Sequence, residues 1–313
     1  MAGLNGEADG MGTTGTVRVA TRGSALALAQ AELVIAALQA ADASHTYEVV
    51  IVHSEGDRDK VSPLATIGGQ GVFTVAVQEA LRDGRGDIAV HSAKDLPPAT
   101  PHDLILAAYL PRADARDVFI SRHGAPLAEL PARATIGTSS RRRAVQARAT
   151  NPEVDVIELR GNLDTRLRKS ETNTYDGIIV AAAGLARMGW TERVTEYLPV
   201  HRFVPAPAQG AIGIECRAND DAMVGLLSQI DHAETRLAVT TERAALVAIG
   251  AGCLSPFALH AEVRGERLYL WGMMADEDGT HARWLDEVAP ASDPLAAGAH
   301  LAELLAAEAG ARA

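Results

Sequence analysis

The sequence predicts an α/β protein that ends in a small α+β unit. Two patterns support this prediction. Over about residues 17–217, short apolar runs alternate with segments of helical periodicity, which is typical of an open and largely parallel sheet. After about residue 220, two helical segments precede three runs that alternate like antiparallel strands, and an Ala- and Leu-rich helix follows them. A chain of 313 residues is long enough for two or three domains.

The first unit covers about 110 residues and alternates strands with helices. Its predicted elements are a strand at 17–21, a helix from the N-cap Ser24 to about Ala41, a strand at 47–54, a helix from Phe73 to Arg82 and a strand at 87–92. Residues 55–71 are polar, rich in Gly and too long for a simple connection. We expect a lid or binding loop there, or else a merely mobile segment. Residues 1–16 are predicted to be a disordered tail.

The second unit, residues 111–210, repeats this alternation. It contains DVFISR and then three segments in which a short apolar strand ends in a Gly-containing turn and enters a helix: ATIGTSSRRRAVQARA, DVIELRGNLDTRLRK and DGIIVAAAGLARMG. Ligands of open parallel sheets bind beyond the C-terminal ends of the strands, so these turns are candidate binding positions. PAPAQG (205–210) is predicted to be a hinge or linker, and AIGIECR (211–217) another buried strand.

The overall charge excludes some classes of partner. The chain carries 29 Lys and Arg residues against 40 Asp and Glu, a net charge of −11, whereas general nucleic-acid and membrane-surface binders need a positive field. No apolar run approaches the roughly 20 residues that span a bilayer. The N-terminal residues have neither the basic region nor the apolar core of a signal peptide. We therefore expect a cytoplasmic protein without nucleic-acid or membrane partners.

The two cysteines differ in their sequence surroundings. Cys216 lies within an apolar strand and is expected in the core. Cys253 lies in GAGCLSP, where glycines let other groups approach the backbone closely, so it is the better candidate for covalent chemistry. No cysteine or histidine has the spacing of a metal site or a catalytic triad, so no metal is expected. His91 is expected to be a packed strand residue.

Arginines cluster where the predicted strands of the second unit end. Of the 29 cationic residues 26 are Arg, and residues 137–187 carry a net charge of +3. Helix N-termini, hydroxyls and guanidinium groups all favour anions, and Arg binds carboxylates in a bidentate manner. This edge therefore suits a ligand with several carboxylates or phosphates. A nucleoside triphosphate is a poor candidate, because the chain lacks a GxxxxGK[ST] loop. The alternative is a capped surface helix with solvated arginines.

The first unit adds a carboxylate and further cations. ATRGS (20–24) places Arg22 at the end of the first strand, and HSAKDLP (91–97) places Lys94 and Asp95 directly after another strand. Among many arginines the charged form of Asp95 is favoured, so it could stabilise a developing cation or transfer a proton. The other interpretation is a solvated loop. Together these positions suggest that the two units face each other across a cleft.

Seven motifs, each weak alone, occur in order over about residues 17–260: ATRGS, HSAKDLP, GTSSRRR, LRGNLDTRL, AAAGLARMG, PAPAQGAIGIECR and AGCLSP. Together they resemble the porphobilinogen deaminase (hydroxymethylbilane synthase) family. The resemblance implies three α/β domains, the first two resembling the lobes of periplasmic binding proteins with mainly parallel sheets and the third a small α+β domain. It places domain 1 at 17–110 and 211–228, domain 2 at 111–210 and domain 3 at 229–313. The discontinuity of domain 1 follows from the resemblance alone.

The resemblance also implies an activity. Members of the family are transferases that condense four porphobilinogen units head to tail, release ammonia each time and hydrolyse off hydroxymethylbilane, a step of tetrapyrrole and haem biosynthesis. The primer is a dipyrromethane cofactor, joined by a thioether to the cysteine that matches Cys253. Each pyrrole bears an acetate and a propionate, which accounts for the arginine clusters. Asp95 matches the carboxylate that stabilises the azafulvene-like cation formed on loss of ammonia, and Lys94 assists. Monomers are usual in the family.

Residues with binding roles are carried over from the matching motifs. The cofactor-binding set is Cys253, Ser140, Arg142, Arg143, Arg160, Lys94 and Asp95. The substrate-binding set is Arg22, Ser24, Arg160, Arg166 and Arg187. Thr66 and Gln70 in the predicted lid, and Ala186 in AAAGLARMG, stand where lysines are common in the family. These segments therefore carry less positive charge than is usual in the family. The carboxylate, the anchor and the main arginine set are retained, so activity is expected.

Two other functions remain as alternatives. The first is a two-lobed cytoplasmic carboxylate-binding protein without catalysis, but such a binder has no need of Asp95 or of Cys253 in its Gly-flanked loop. The second is a transferase that uses a phosphate or nucleotide, and the missing P-loop argues against it.

Overall fold

The structure, a computed structural model, describes residues 15–53, 72–250 and 256–310. Within these ranges it contains thirteen β-strands in three sheets. Two five-stranded sheets form the cores of two lobes, and a three-stranded sheet belongs to a smaller C-terminal unit. The fold class predicted from the sequence is confirmed. No helix among the described residues is long and apolar enough to cross a membrane.

The first lobe is built on a mainly parallel sheet. Its strands are β1 (Thr16–Arg22), β2 (Thr46–Val52), β3 (Ile88–Ser92), β4 (Leu104–Tyr109) and β10 (Ile212–Arg217), in the order β2-β1-β3-β10-β4. β1 is parallel to β2 and β3, whereas β10 is antiparallel to β3 and β4. The helices are α1 (Ala25–Ala41), α2 (Val72–Arg82) and α6 (Asp221–Ser228), and α6 packs on β4 and β10.

The second lobe has the same sheet plan. Its strands are β5 (Asp117–Ser121), β6 (Thr135–Gly137), β7 (Asp155–Ile157), β8 (Gly177–Ala181) and β9 (Glu196–Tyr197), in the order β7-β6-β8-β5-β9. β6 is parallel to β7 and β8, and β5 is antiparallel to both of its neighbours. The helices α3 (Arg141–Thr150), α4 (Leu163–Ser170) and α5 (Ala182–Met188) follow β6, β7 and β8 respectively.

Two crossovers, residues 110–116 and 198–211, connect the lobes. The first leads from β4 into β5, and the second returns the chain from β9 to β10 in the first lobe. β10 therefore lies between β3 and β4, which do not pair with each other. It contributes Ile214 and Cys216, both fully buried, to the apolar core of the first lobe. The predicted core position of Cys216 is confirmed, and burial raises the pKa of its thiol to about 11.

The C-terminal unit pairs one antiparallel sheet with two helices. Its elements are α7 (Ala233–Ala248), β11 (Phe257–Arg264), β12 (Arg267–Met274), β13 (Arg283–Pro290) and α8 (Pro294–Gly310). Leu259, Leu270, Leu301 and Leu305 form part of one core between the sheet and the helices. Gly298 of α8 lies so close to α7 that a Cβ there would overlap the carbonyl oxygen of Thr241. Small residues at this crossing let the two helices approach each other closely.

The structure differs from the sequence prediction in some local details. β8 passes directly into α5 without a Gly turn, and Gly184 is instead a buried helical residue beside Leu163. β4 and the two-residue β9 were not predicted. The predicted tail (residues 1–14 of it), the predicted lid with Thr66 and Gln70, and Cys253 lie outside the described residues.

Candidate active site

A cleft of ≈ 770 Å³ lies between the two lobes. Both lobes line it, and α1 of the first lobe contacts α5 of the second. Eight of the residues predicted from the sequence line this cleft: Arg22, Ser24, Lys94, Asp95, Arg143, Arg160, Arg166 and Arg187. Ser140 and Arg142 are not among the lining residues. The predicted convergence of strand ends from both units is therefore present in the fold.

On the first-lobe side, the ends of β1 and β3 place the functional side chains. Arg22 is the last residue of β1, and Ser24 caps α1 by accepting a hydrogen bond of 3.3 Å from the amide of Ala27. β3 continues into a 3₁₀ turn, Ala93–Asp95, which directs Lys94 and Asp95 to the cleft. Asp95 is exposed there, whereas Lys94 is only partly exposed.

Lys94 has an unusual electrostatic environment. Burial lowers the pKa of its amine to about 8, and the charge of Asp95 opposes this effect. Its Nζ donates to Oε1 of Gln209 at 3.4 Å. Lys94 therefore carries its positive charge at neutral pH and loses it in mildly alkaline solution.

On the second-lobe side, the connection after β7 and the helices α4 and α5 supply arginines. Arg160 follows β7, and its Nε lies 2.6 Å from Oε1 of Glu158. Arg166 donates from Nε to the carbonyl oxygen of Gly161 at 2.7 Å, and Arg187 donates from Nη2 to that of Gly210 at 2.6 Å. Burial lowers the pKa of Arg166 and of Arg187 to about 10, so both remain cationic at neutral pH.

Asp117, the first residue of β5, is a site residue that sequence reasoning missed. Its side chain is fully buried between Arg142 and Arg143, whose nearest nitrogens lie 2.7 Å from its two carboxylate oxygens. Burial alone would raise the pKa of Asp117, but the two guanidinium groups outweigh it and hold the pKa far below its usual range. The sequence contains one indication of its role: Asp117 is an acidic residue at the start of an otherwise apolar strand, DVFIS.

Ser140 and Arg142 are not lining residues of the cleft in this structure, and both make contacts within the protein. Ser140 caps α3 and accepts a hydrogen bond of 3.4 Å from the amide of Arg143. Arg142 is 6% exposed, and its Nη1 also donates to the carbonyl oxygen of Val204 at 2.6 Å. Ser139 lines the cleft in place of Ser140 and donates to the carbonyl oxygen of Leu159. The predicted binding roles of Ser140 and Arg142 stay predictions.

Gln209, in the second crossover, is another residue that the sequence did not reveal. It is 1% exposed. Its Nε2 donates to the carbonyl oxygen of Ala115 at 2.9 Å and to Oδ1 of Asp117 at 2.8 Å, while its Oε1 accepts from Lys94. Its backbone oxygen accepts from Arg112. Gln209 thus connects the 3₁₀ turn of the first lobe with the buried carboxylate of the second.

A buried polar cluster adjoins the first-lobe side of the cleft, and His91 is one of the lining residues. His91 of β3 is 5% exposed, as expected for a packed strand residue, and its Nε2 lies 3.0 Å from Oε2 of Glu215 in β10. Gln78 of α2 donates to both oxygens of the same carboxylate. These contacts join α2, β3 and β10 behind the turn that carries Lys94 and Asp95.

The cleft has a strongly positive lining in a negative protein. Among the described lining residues there are seven Lys and Arg side chains against two carboxylates, Asp95 and Asp164. Such a lining favours a ligand with several carboxylates, and it places the side chain of Asp95 among the cations. The described residues contain no cluster of His, Cys, Asp and Glu that could hold a metal ion. The arrangement can bind a polyanion and stabilise a positive charge that develops next to Asp95.

Two family models match the chain. The model described as "Porphobilinogen deaminase, dipyromethane cofactor binding domain" matches residues 17–225, and "Porphobilinogen deaminase, C-terminal domain" matches residues 236–307. The chain is 46% identical over 290 residues to the porphobilinogen deaminase of Roseiflexus castenholzii, which covers 93% of this chain and 95% of that protein. It is 42% identical over 293 residues to that of Syntrophotalea carbinolica, with coverage of 94% and 93%.

Solved structures of other proteins show a weaker likeness. The methionine-binding protein MetQ has a TM-score of 0.43 at 10% identity, over 69% of this chain and 89% of that chain. The VFT2 domain of Bordetella pertussis BvgS, a double mutant, has a TM-score of 0.41 at 13% identity, over 69% and 86%. These scores are too low to carry an argument about the site.

Proposed function

The chain belongs to the porphobilinogen deaminase family, whose members are transferases, and we propose that the cleft between its lobes is the active site. The enzyme condenses four porphobilinogen molecules head to tail onto a dipyrromethane primer, releases ammonia at each addition and hydrolyses off hydroxymethylbilane. The observation that carries this proposal is the cleft lining, in which seven cationic side chains surround Asp95 and one other carboxylate.

The lining fits a dipyrromethane cofactor. Each pyrrole bears an acetate and a propionate, so the cofactor brings four carboxylates that need cationic partners. Arg143, Arg160 and Lys94 line the cleft, and Ser140 and Arg142 adjoin Arg143 at the start of α3. We propose that these residues hold the cofactor, with Asp95 beside its pyrrole N–H groups. When bound, the cofactor supplies the pyrrole carbon to which the first substrate is joined.

The remaining cations are proposed to hold the substrate. Arg22, Arg166 and Arg187 line the cleft from both lobes, and Ser24 lies at the N-terminus of α1. Porphobilinogen carries two carboxylates, and guanidinium groups bind carboxylates with directional, charge-assisted hydrogen bonds. Because Arg166 and Arg187 are largely desolvated, their contacts with an anion are stronger than those of surface arginines.

Asp95 is proposed to be the catalytic carboxylate. Loss of ammonia leaves a positive charge on the substrate, and an ionised carboxylate at that point lowers the energy of the transition state. Asp95 is exposed to the cleft at the end of β3, and the charge of Arg166 acts on it from the second lobe. The same carboxylate can accept protons from the substrate, because it lies at the water-accessible surface of the cleft.

Cys253 is proposed to anchor the cofactor through a thioether. In the sequence it lies between the end of α7 at Ala248 and the start of β11 at Phe257, outside the described residues. The intact mass of the purified protein should exceed the sequence mass by two pyrrole units, and the excess should disappear in Cys253→Ser. Cys216→Ser, which removes the buried core thiol, is the control and keeps the excess. A wild-type protein of unmodified mass that consumes no porphobilinogen would falsify the proposed function.

A carboxylate-binding protein without catalysis is the alternative, and the same experiment separates the two. Such a binder also has a positive cleft, but it needs no covalent group and releases no ammonia. Ammonia release from porphobilinogen is measured together with the mass. Binding without ammonia release and without a mass excess would favour the binder.

The proposed domain division follows the sheets: 17–110 with 211–228, 111–210, and 229–313. It is supported by the return of β10 to the first sheet and by the packing of α6 on β4 and β10. We further propose that the enzyme is a cytoplasmic monomer whose partner is porphobilinogen and not nucleic acid or a membrane. Size-exclusion chromatography with light scattering checks the oligomeric state, and a mass of twice 32.8 kDa would contradict it.

A further inference from the structure

We propose that Asp117 is a positioning residue for the cleft: it holds Arg142 and Arg143 of α3 in place and, through Gln209, fixes the amine of Lys94. The inference rests on the proposed function and goes beyond it, since Asp117 itself does not line the cleft. Three facts carry it, namely the contacts of the carboxylate, the N–H groups that these contacts leave on Arg143, and the orientation of the Gln209 amide.

Asp117 is the shared partner of two consecutive arginines. Oδ1 accepts from Nε of Arg143 at 3.1 Å and from its Nη2 at 2.7 Å, while Nη1 of Arg142 lies 2.7 Å from Oδ2. The three side chains are 0%, 6% and 6% exposed. Asp117 is the first residue of β5, so the position of both guanidinium groups is tied to the sheet of the second lobe.

The contacts of Arg143 leave a defined part of its guanidinium group for a ligand. Its Nη1 donates to the carbonyl oxygen of Ile179 at 3.1 Å, in addition to the two bonds to Asp117. These contacts use three of the five N–H groups of the side chain. One N–H on each Nη atom is left and can donate to a carboxylate of a ligand. Asp117 and Ile179 thus fix which edge of Arg143 is presented.

Gln209 extends the arrangement to the first lobe, and the charges around it set the orientation of its amide. A carboxylate can only accept hydrogen bonds and an ammonium can only donate them. Nε2 must therefore face Asp117 and Oε1 must face Lys94, as observed at 2.8 Å and 3.4 Å. One carboxylate in the second lobe thereby orients the amine next to Asp95 in the first.

The net charge of Asp117 with Arg142 and Arg143 supports a role of Asp117 in positioning the arginines. Two buried guanidinium groups against one carboxylate leave one net positive charge, which a ligand carboxylate can neutralise. A buried ion pair is weak support for stability, because the cost of desolvation offsets much of the attraction. An apolar residue at the start of β5 would suit an apolar strand, but it would leave both arginines free to adopt other rotamers.

The test is Asp117→Asn, which keeps the shape of the side chain and removes its charge. We expect the fraction of purified protein that carries the two-pyrrole mass to fall by about threefold or more, and the KM for porphobilinogen of the loaded fraction to rise by about tenfold, with a smaller change in kcat. The mass fraction is measured on folded protein and does not depend on turnover. A variant with wild-type mass fraction and wild-type KM would overturn the proposal.

The matched control is Asp176→Asn in the same lobe. Asp176 also pairs with an arginine, Arg122 at 3.1 Å, and accepts from a backbone amide, that of Thr135, but it does not line the cleft. It should keep the wild-type mass fraction and KM. If both variants show the same fall in mass fraction and the same rise in KM, Asp117 has only a structural role and the proposal is wrong.

A second variant covers the case in which Asp117→Asn does not fold. Gln209→Met keeps the ion pairs of Asp117 and removes the link to Lys94, so the KM should rise by about threefold. An unchanged KM would contradict the role of the link. The wild type is assayed in parallel: if it has neither the mass excess nor turnover, the proposed function fails, whereas an active wild type with unchanged variants contradicts only the role of Asp117.

Discussion

Lys94 and Asp95 are consecutive residues of opposite charge, yet the fold gives them different surroundings. The 3₁₀ turn after β3 leaves Asp95 exposed to the cleft, while Lys94 is desolvated and held by Gln209. The carboxylate of Asp95 is therefore accessible to a reacting group in the cleft. The amine is fixed, and its charge depends on the pH of the solution.

Asp95→Asn tests the role of the carboxylate. The side chain makes no hydrogen bond among the described residues that would be lost, so the fold should be kept. We expect kcat to fall by about 10²–10³-fold, because the developing cation loses its counter-charge. Turnover is measured by ammonia release, and folding by circular dichroism. Asp164→Asn, which removes the other carboxylate of the cleft lining, is the control, and a similar fall there would count against a specific role of Asp95.

The pKa of Lys94 predicts a pH dependence. With a pKa of about 8, Lys94 is positive below pH 8 and becomes neutral as the pH rises through that value, so binding of carboxylates weakens on the alkaline side. Bound carboxylates raise this pKa, so kcat/KM should decline at or above pH 8. In Lys94→Arg the charge persists, and the decline should move to higher pH. Identical profiles for both proteins would exclude Lys94 as the titrating group.

The arginines of the site were predictable from the sequence, but their internal partner was not. Each arginine follows a recognisable strand, and parallel strands bring their ends to one edge. Asp117, in contrast, lies 26 residues from Arg143 and 92 from Gln209, so only the folded chain brings them together. Ser140 caps α3 in the fold, and its predicted role in ligand binding stays a prediction.

At the scale of elements, strands that are closely followed by helices supply most of the site residues of the second lobe. β6, β7 and β8 each lead into a helix within five residues or fewer, and the connection after β8 has no residue at all. The alternation of apolar runs was sufficient to predict these units. It could not predict β9, because two residues are too few for a periodic pattern, nor whether Gly184 forms a turn or packs against Leu163.

Substitution of two helical glycines by alanine should change stability in opposite directions. In Gly298→Ala the new Cβ would overlap the carbonyl oxygen of Thr241, so α7 and α8 must separate, and we expect a loss of about 1–3 kcal/mol in the free energy of unfolding. Gly225 of α6 has open space around it, so Gly225→Ala should gain about 0.5–1 kcal/mol. Urea unfolding measures both, and equal effects would contradict the close packing of α7 on α8.

At the scale of the whole molecule, Glu242 of α7 joins the C-terminal unit to both crossovers. It is fully buried and forms a bidentate ion pair with Arg112 of the first crossover, at 2.7 and 3.0 Å. Its oxygens also accept from the amides of Ala208 in the second crossover and Ala261 in β11. The unit that carries the Cys253 loop is thus fixed to the segments that connect the lobes.

Glu242→Gln should destabilise the whole protein. The amide leaves Arg112 without its counter-ion, and its NH₂ group must face one of the two backbone donors, so we expect a loss of about 3–5 kcal/mol. Burial raises the pKa of Glu242, but Arg112 and His260 outweigh it and hold the pKa below the usual 4.5. Its contribution is therefore complete above pH 4.5 and is lost as the pH falls. In urea unfolding, the free energy of unfolding of the variant should fall less steeply below pH 4.5 than that of the wild type. Parallel pH dependences in the two proteins would contradict this role of Glu242.

The position of β10 between β3 and β4 has a consequence for synthesis of the chain. The facing edges of β3 and β4 hydrogen-bond only to β10 among the described strands, and β10 is translated after the entire second lobe. The second lobe is contiguous in sequence and can complete its sheet while still attached to the ribosome. The first lobe must wait with two open strand edges until residue 217 has emerged, and such edges attract other chains. The nascent protein therefore needs protection from aggregation in its first lobe for longer than in its second.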